Sequence, residues 1–184
     1  MATLFHGKGA DYHPRVPLID RMLSNRLQAL GFQTRRYGAD CVFTSTSRDQ
    51  ANDYARDDDH LFQVEPLESA SVMIVDGCKD MILQFEAWLR DKSIWEDRNG
   101  SVRSRFLADV QGDIGTVETY LGLNRMKKVI ASLIDEYLSD LSVREFIVDE
   151  NFDIQSAVEG HEGEIIINGP VKLHPIITSM ELRM

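Results

Sequence analysis

Cysteine is nearly missing from the 184-residue chain: Cys41 and Cys78 are the only two. Two cysteines are too few for a disulfide framework, and they lack metal-ligand spacing. Both thiols are therefore expected to be buried and reduced. Positive charge is also short. Twenty Lys and Arg stand against thirty Asp and Glu, giving a formal net charge of −10 and a pI near 4.9. Such a balance argues against non-specific binding to nucleic acid phosphates. It suits a small-molecule enzyme, or an acidic protein that meets basic partners. Long apolar runs are missing too. No window approaches a membrane span, and the N-terminal MATLFHGKGADYH has no apolar signal-type core. A soluble, cytoplasmic protein that does not use the membrane is the expectation. There is no internal repeat and no low-complexity tract.

What the chain does contain is enough apolar residue for one domain: 43% hydrophobic against 27% charged. Thr3-Leu4-Phe5 is a short β-type run that stops at His6-Gly7, where a glycine lets a ligand approach the backbone. Leu18, Ile19, Met22, Leu23, Leu27 and Leu30 follow helical spacing, and Gly31 offers a C-cap. Phe32 to Tyr37 reads as a second strand, with Arg35 and Arg36 near its end. Those two arginines are either solvated or available to a phosphate.

Val42-Phe43-Thr44 predicts a strand that ends in the hydroxyls Ser45-Thr46-Ser47. Ser47 lies three residues before Gln50, the spacing of a helix capping box. Ala51, Tyr54 and Ala55 would then form one face of a short helix. The charged run 56–60 lacks the glycine and distal glutamate of a calcium loop and predicts a solvated loop. Strands are expected at 61–66 and 71–76.

From Gly77 the pattern becomes helical. Cys78, Met81, Ile82, Phe85, Trp88 and Leu89 mark one amphipathic helix. Met126, Val129, Ile130, Leu133, Ile134, Tyr137, Leu138 and Leu141 mark a longer one. Residues 92–115 between them are polar and carry Arg98, Arg103 and Arg105. Phe146-Ile147-Val148 returns to β character, 149–160 reads as a loop, and Glu162 to Ile167 enters a strand. Asn168-Gly169 flanked by β-branched residues predicts a hairpin to a last strand at 171–177.

In this order, three features resemble the ADP-ribosyltransferase superfamily. The first is a strand ending in Leu4-Phe5-His6-Gly7. The second is Phe43-Thr44-Ser45-Thr46-Ser47 leading into a helix with Tyr54. The third is Glu162-Gly163-Glu164 opening an apolar strand before Gly169-Pro170. The resemblance covers roughly residues 3–76 and 158–177. His6-Gly7 matches the diphtheria-toxin and poly-ADP-ribose polymerase branch, whereas Ser-Thr-Ser and Glu-x-Glu match the toxin-like branch. His6 thus stands where an arginine usually accompanies Ser-Thr-Ser. The gap from Ser47 to Glu162 exceeds what compact members need.

The resemblance implies an α+β fold: a split β-sandwich core in a single domain over residues 1–184, with a helical insertion at about 77–145. It implies an NAD-dependent mono-ADP-ribosyltransferase, toxin-like or phage-type, with NAD as consumed substrate and no metal. Glu164 would stabilise the oxocarbenium-like centre left when nicotinamide departs, and Glu162 would orient or activate the acceptor. His6 would bond the adenine-side ribose and the Gly7 amide the nicotinamide carboxamide. Thr44, Ser45 and Thr46 would line the NAD site, with Ser45 positioning Glu164 and Tyr54 against the nicotinamide. The acceptor would be macromolecular, a host or cellular protein, with a protein arginine as first choice and the host cytoplasm as the setting if phage-encoded. Two rivals stand beside this: a non-catalytic acidic interaction or decoy protein, and an NAD glycohydrolase on the same fold.

Overall fold

The computed structural model describes residues 3–7, 18–38, 40–55, 60–91 and 124–176. Its elements in chain order are β1 Leu4–Gly7, α1 Leu18–Ala29, β2 Cys41–Ser45, α2 Arg48–Asp53, β3 Leu61–Pro66, β4 Ser71–Val75 and α3 Met81–Asp91. They continue with α4 Asn124–Ser139, β5 Val143–Ile147, α5 Ile154–Ala157, β6 Glu164–Asn168 and β7 Val171–Pro175. The chain is an α+β protein with one seven-stranded sheet in the order β5-β4-β6-β2-β1-β3-β7. Every neighbouring pair is antiparallel. With β5 and β7 at its edges, the sheet is not a closed barrel. Among the described residues no helix is long and apolar enough to cross a membrane.

The sheet's joints are unequal. β2 and β6 share five register pairs, as do β4 with β5 and β3 with β7. Among the described residues, β1 and β2 share one, Phe5 with Ser45.

Two cores form on the two faces. Met73, Val75 and Ile166 project to the face covered by α1, α3 and α4, where they meet Leu23, Leu27, Phe85, Ile134 and Tyr137. Val72, Ile74, Ile165 and Ile167 project the other way, towards Leu4, Val64, Ala157 and Val158. β4 is therefore buried along its whole length, as its unbroken apolar run requires. Phe85, Trp88 and Tyr137 lock α3 to α4, with ring centroids 5.1 and 5.6 Å from Tyr137. The two expected helices thus supply much of one core.

Several sequence expectations need correction. Residues 32–37 form no strand. Four of their backbone N–H groups are taken by side chains instead: Gln33 and Thr34 donate to the Glu145 carboxylate, Arg35 to Asn168 and Arg36 to Ser24 Oγ at 2.7 Å. The 149–160 loop contains the single-turn helix α5, capped by Asp153 accepting from Gln155 N–H. β5 begins at Val143, earlier than the apolar run suggested.

The Asn168-Gly169 hairpin does not form. β6 already has β4 on one side and β2 on the other, so β7 cannot pair with it. The chain crosses instead to pair β7 with β3 at the far edge. Residues 56–59, from the expected solvated loop, and 92–115, with the arginine cluster, lie outside the described residues.

Candidate functional site

The strand order places β6, β2 and β1 side by side, so the Glu-x-Glu, Ser-Thr-Ser and His-Gly segments are neighbours. Ser45 lies directly opposite Glu164 on one side and Phe5 on the other. Directly paired residues share a face, and alternate residues along a strand switch faces. Phe5, Gly7, Ser45 and Glu164 therefore belong to the face carrying α1, α3 and α4. Leu4, His6 and Thr44 belong to the opposite face.

Each side chain has a defined setting. His6 Nδ1 lies 2.8 Å from the Phe43 carbonyl oxygen. Thr44 is buried and donates to the Ile165 carbonyl at 3.1 Å, which ties β2 to β6. The Ser45 hydroxyl donates to Gln50 Oε1 and accepts from Ser47 N–H, both at 2.9 Å. Gly7 sits against α2, where a Cβ would overlap the Ala51 carbonyl oxygen and come within 2.7 Å of Ala55 N. That glycine is required by helix packing, whatever else approaches it.

Ser47 is the N-cap of α2, as its spacing predicted, and accepts from Gln50 N–H at 3.3 Å. The reciprocal half of a capping box is replaced. The Gln50 side chain turns away to accept from Ser45 and to donate to the Lys79 carbonyl. Gln50 thus links the Ser-Thr-Ser turn to the segment before α3.

Glu164 is 7% exposed and forms an ion pair with Arg36, which is itself 3% exposed. Arg36 Nε donates to Asp20 of α1 at 2.9 Å, and its guanidinium lies 5.1 Å from the Phe43 ring centroid. Two carboxylates therefore share one guanidinium away from water. Burial alone would lower the Arg36 pKa, but Glu164 and then Asp20 outweigh it and hold the guanidinium charged. The Glu164 carboxyl is pushed upward, chiefly by burial, against the pull of Arg36.

Sequence inspection missed this triad. One signal was present: Asp20 and Ser24 are an i, i+4 polar pair on the side of α1 that also buries Ile19, Leu23 and Leu27.

Glu162 is placed differently. It is exposed and lines an open cleft of about 550 Å³ with Thr46, Ser47, Gln50, Tyr54 and Lys79. Asp49, Asp53 and Asp80 add further carboxylates to the wall. Tyr54 is half exposed, and its hydroxyl donates to Asp80 Oδ2 at 2.6 Å. Burial and then that bond raise the phenol pKa, so Tyr54 stays neutral.

Both cysteines are free and buried. Burial, with Glu164 next, pushes the Cys78 thiol up to about 12, so it is not a nucleophile at neutral pH. Among the described residues no three His, Cys, Asp or Glu side chains come together as a metal site.

His161 is a further residue that the sequence did not single out. Its ring is buried, with Nε2 3.3 Å from the Glu164 carbonyl and Nδ1 3.9 Å from Asp76. Its own carbonyl accepts from Thr46 Oγ1 at 2.9 Å. His161 therefore joins the Ser-Thr-Ser turn to the segment carrying Glu162.

Burial lowers its pKa below the ordinary 6.5, against raising by its bond to Glu164 and by Asp76. A depressed base means the unfolded chain binds the extra proton first, so stability is present above about pH 6.5 and is lost as pH falls below it. Melting temperatures measured from pH 8 to 5 should fall for wild type and fall less for His161→Asn. Equal slopes would show that His161 does not carry this dependence.

Comparison with known proteins returns nothing: no family model, curated protein or solved structure matches the chain.

Proposed function

We propose that the chain is a cytoplasmic NAD-dependent mono-ADP-ribosyltransferase that moves ADP-ribose from NAD to a macromolecular acceptor. The observation that carries this is the adjacency of β6, β2 and β1, which makes neighbours of the three segments of the resemblance although Ser47 and Glu162 are more than a hundred residues apart in sequence; within them His6 and Thr44 lie on the sheet face opposite Ser45 and Glu164. That β1 and β2 share one register pair among the described residues supports the finer fold reading as well. A split β-sandwich would divide there, into β5-β4-β6-β2 and β1-β3-β7.

The cleft chemistry suits the first half of the reaction. The glycosidic C–N bond breaks, its electron pair stays on the nicotinamide nitrogen, and positive charge develops on the ribose. Carboxylates held around that centre stabilise it. The same carboxylates repel a pyrophosphate, so the cleft suits the nicotinamide-ribose end of NAD and not its phosphates. An acceptor lone pair then bonds the ribose carbon, and the acceptor's proton passes to a carboxylate or to water. A protein arginine remains the first choice of acceptor. NAD is a consumed substrate here, and no metal enters the scheme.

The test is incubation of the purified chain with NAD labelled in its adenylate, with and without a cell lysate. Label on a macromolecule together with free nicotinamide is the expected result. Nicotinamide release at the same rate with and without lysate, and no label transfer, would make the protein a glycohydrolase. Neither release nor transfer, or undiminished activity in a Glu162→Gln/Glu164→Gln double variant, would end the enzymatic proposal.

A further inference from the structure

The two glutamates of Glu162-Gly163-Glu164 would share one side if the segment were regular strand. It is not. β6 begins only at Glu164, and Gly163 takes a φ of +139° with its Cα side pressed against the Cys78 backbone. The chain therefore turns between the two carboxylates. Glu164 goes under α1 to Arg36, and Glu162 goes out to the cleft beside Tyr54 and Thr46.

We propose that the pair divides its work: Glu162 is the carboxylate that meets the nicotinamide-ribose end of NAD, while Glu164, clamped by Arg36 and Asp20, positions the strand that presents it. This rests on the ADP-ribosyl-transfer proposal above, and it exchanges the roles that the family resemblance assigns to the two glutamates.

The geometry favours this division on three counts. A carboxylate can stabilise developing charge only if it can approach it, and Glu164 is enclosed while Glu162 lines open space. The Glu164 carboxylate is already committed to Arg36, whose second carboxylate partner, Asp20, anchors the cluster to α1. Two backbone contacts brace the segment from the other side. Glu164 N–H donates to the Cys78 carbonyl at 3.1 Å, and Thr46 Oγ1 donates to the His161 carbonyl. Glu162 thus projects from a short stretch fixed at both of its ends.

Nicotinamide release and thermal melting of Glu162→Gln and Glu164→Gln separate the two roles. Glu162→Gln should lose release on the order of a hundredfold with an unchanged melting temperature. Glu164→Gln should retain release within roughly tenfold at temperatures where it is folded, because the amide oxygen can still accept from Arg36 while Arg36 and Asp20 remain a balanced pair. A folded Glu164→Gln that is inactive, or an active Glu162→Gln, would overturn the division.

Should Glu164→Gln fail to fold, carbodiimide-amine footprinting of wild type decides. Rapid modification of Glu162 with protection of Glu164 is expected, and equal rates would overturn the division. Wild type that releases no nicotinamide defeats the proposed activity itself, an outcome distinct from wild-type release that survives Glu162→Gln.

Discussion

Arg36→Met should cost about 3–5 kcal/mol of folding stability, the range for removing one partner from a buried ion pair. In a chain whose net stability is of the order of 5–15 kcal/mol, this is a large fraction. The size follows from what remains. Without the guanidinium, Asp20 and Glu164 both stay buried and both lose their bonds from Arg36. Neither can stay ionised cheaply. Met fills the apolar stem of the arginine but answers neither carboxylate.

Chemical denaturation of the variant and of Asp20→Asn/Arg36→Met/Glu164→Gln measures the effect. The triple variant should recover most of the loss, since it removes both carboxylate charges together with the cation. A single variant within 1 kcal/mol of wild type would show that the triad is not closed to water.

How much of this was legible in the sequence depends on the range of the interaction. α1 and α4 were legible because their apolar residues repeat at helical spacing, and the α2 start because Ser47 caps locally. β3 and β4 were legible from β-branched and aromatic runs bounded by turn residues.

Residues 32–37 misled because they have strand-like composition, but the N–H groups of Gln33, Thr34 and Arg35 are taken by Glu145 and Asn168, more than a hundred residues away. The Asn168-Gly169 turn misled for a related reason. A hairpin signal is local, and it cannot report that β6 lies in the middle of the sheet with both edges already paired.

At the candidate site, the sequence named residues for the proposed chemistry but not their orientations. The resemblance gave Glu162 and Glu164 different roles, but nothing in the sequence set their exposure apart. Only the start of β6 after Gly163 shows that one is enclosed and the other open. Arg36 looked like one of two adjacent surface arginines until α1 and β6 closed around it. His161 gave no signal, since a single histidine in a turn acquires meaning only from the Thr46 hydroxyl and Asp76 beside it.

Gly163→Ala should be the other severe change, costing about 3 kcal/mol or more, and its damage should extend to the site. Two penalties combine. A φ of +139° is a conformation L side chains rarely adopt, worth roughly 1–3 kcal/mol for a non-glycine residue. A Cβ at Gly163 would also overlap the Cys78 carbonyl oxygen and come within 2.9 Å of the Cys78 carbonyl carbon. Overpacking of this kind typically costs about 1–3 kcal/mol. Backbone cannot rotate out of the way as a flexible side chain can, and Cys78 is itself fully buried.

Relief requires β6 to draw back from the 76–80 segment. That movement breaks the bond from Glu164 N–H to the Cys78 carbonyl and shifts Glu162 relative to Tyr54 and Asp80. The variant should therefore unfold at markedly lower denaturant and, where still folded, lose the proposed nicotinamide release at saturating NAD. An alanine variant with wild-type stability would mean that the segment is looser than its contacts imply. One that is destabilised yet fully active would mean that Glu162 does not depend on the turn that separates it from Glu164.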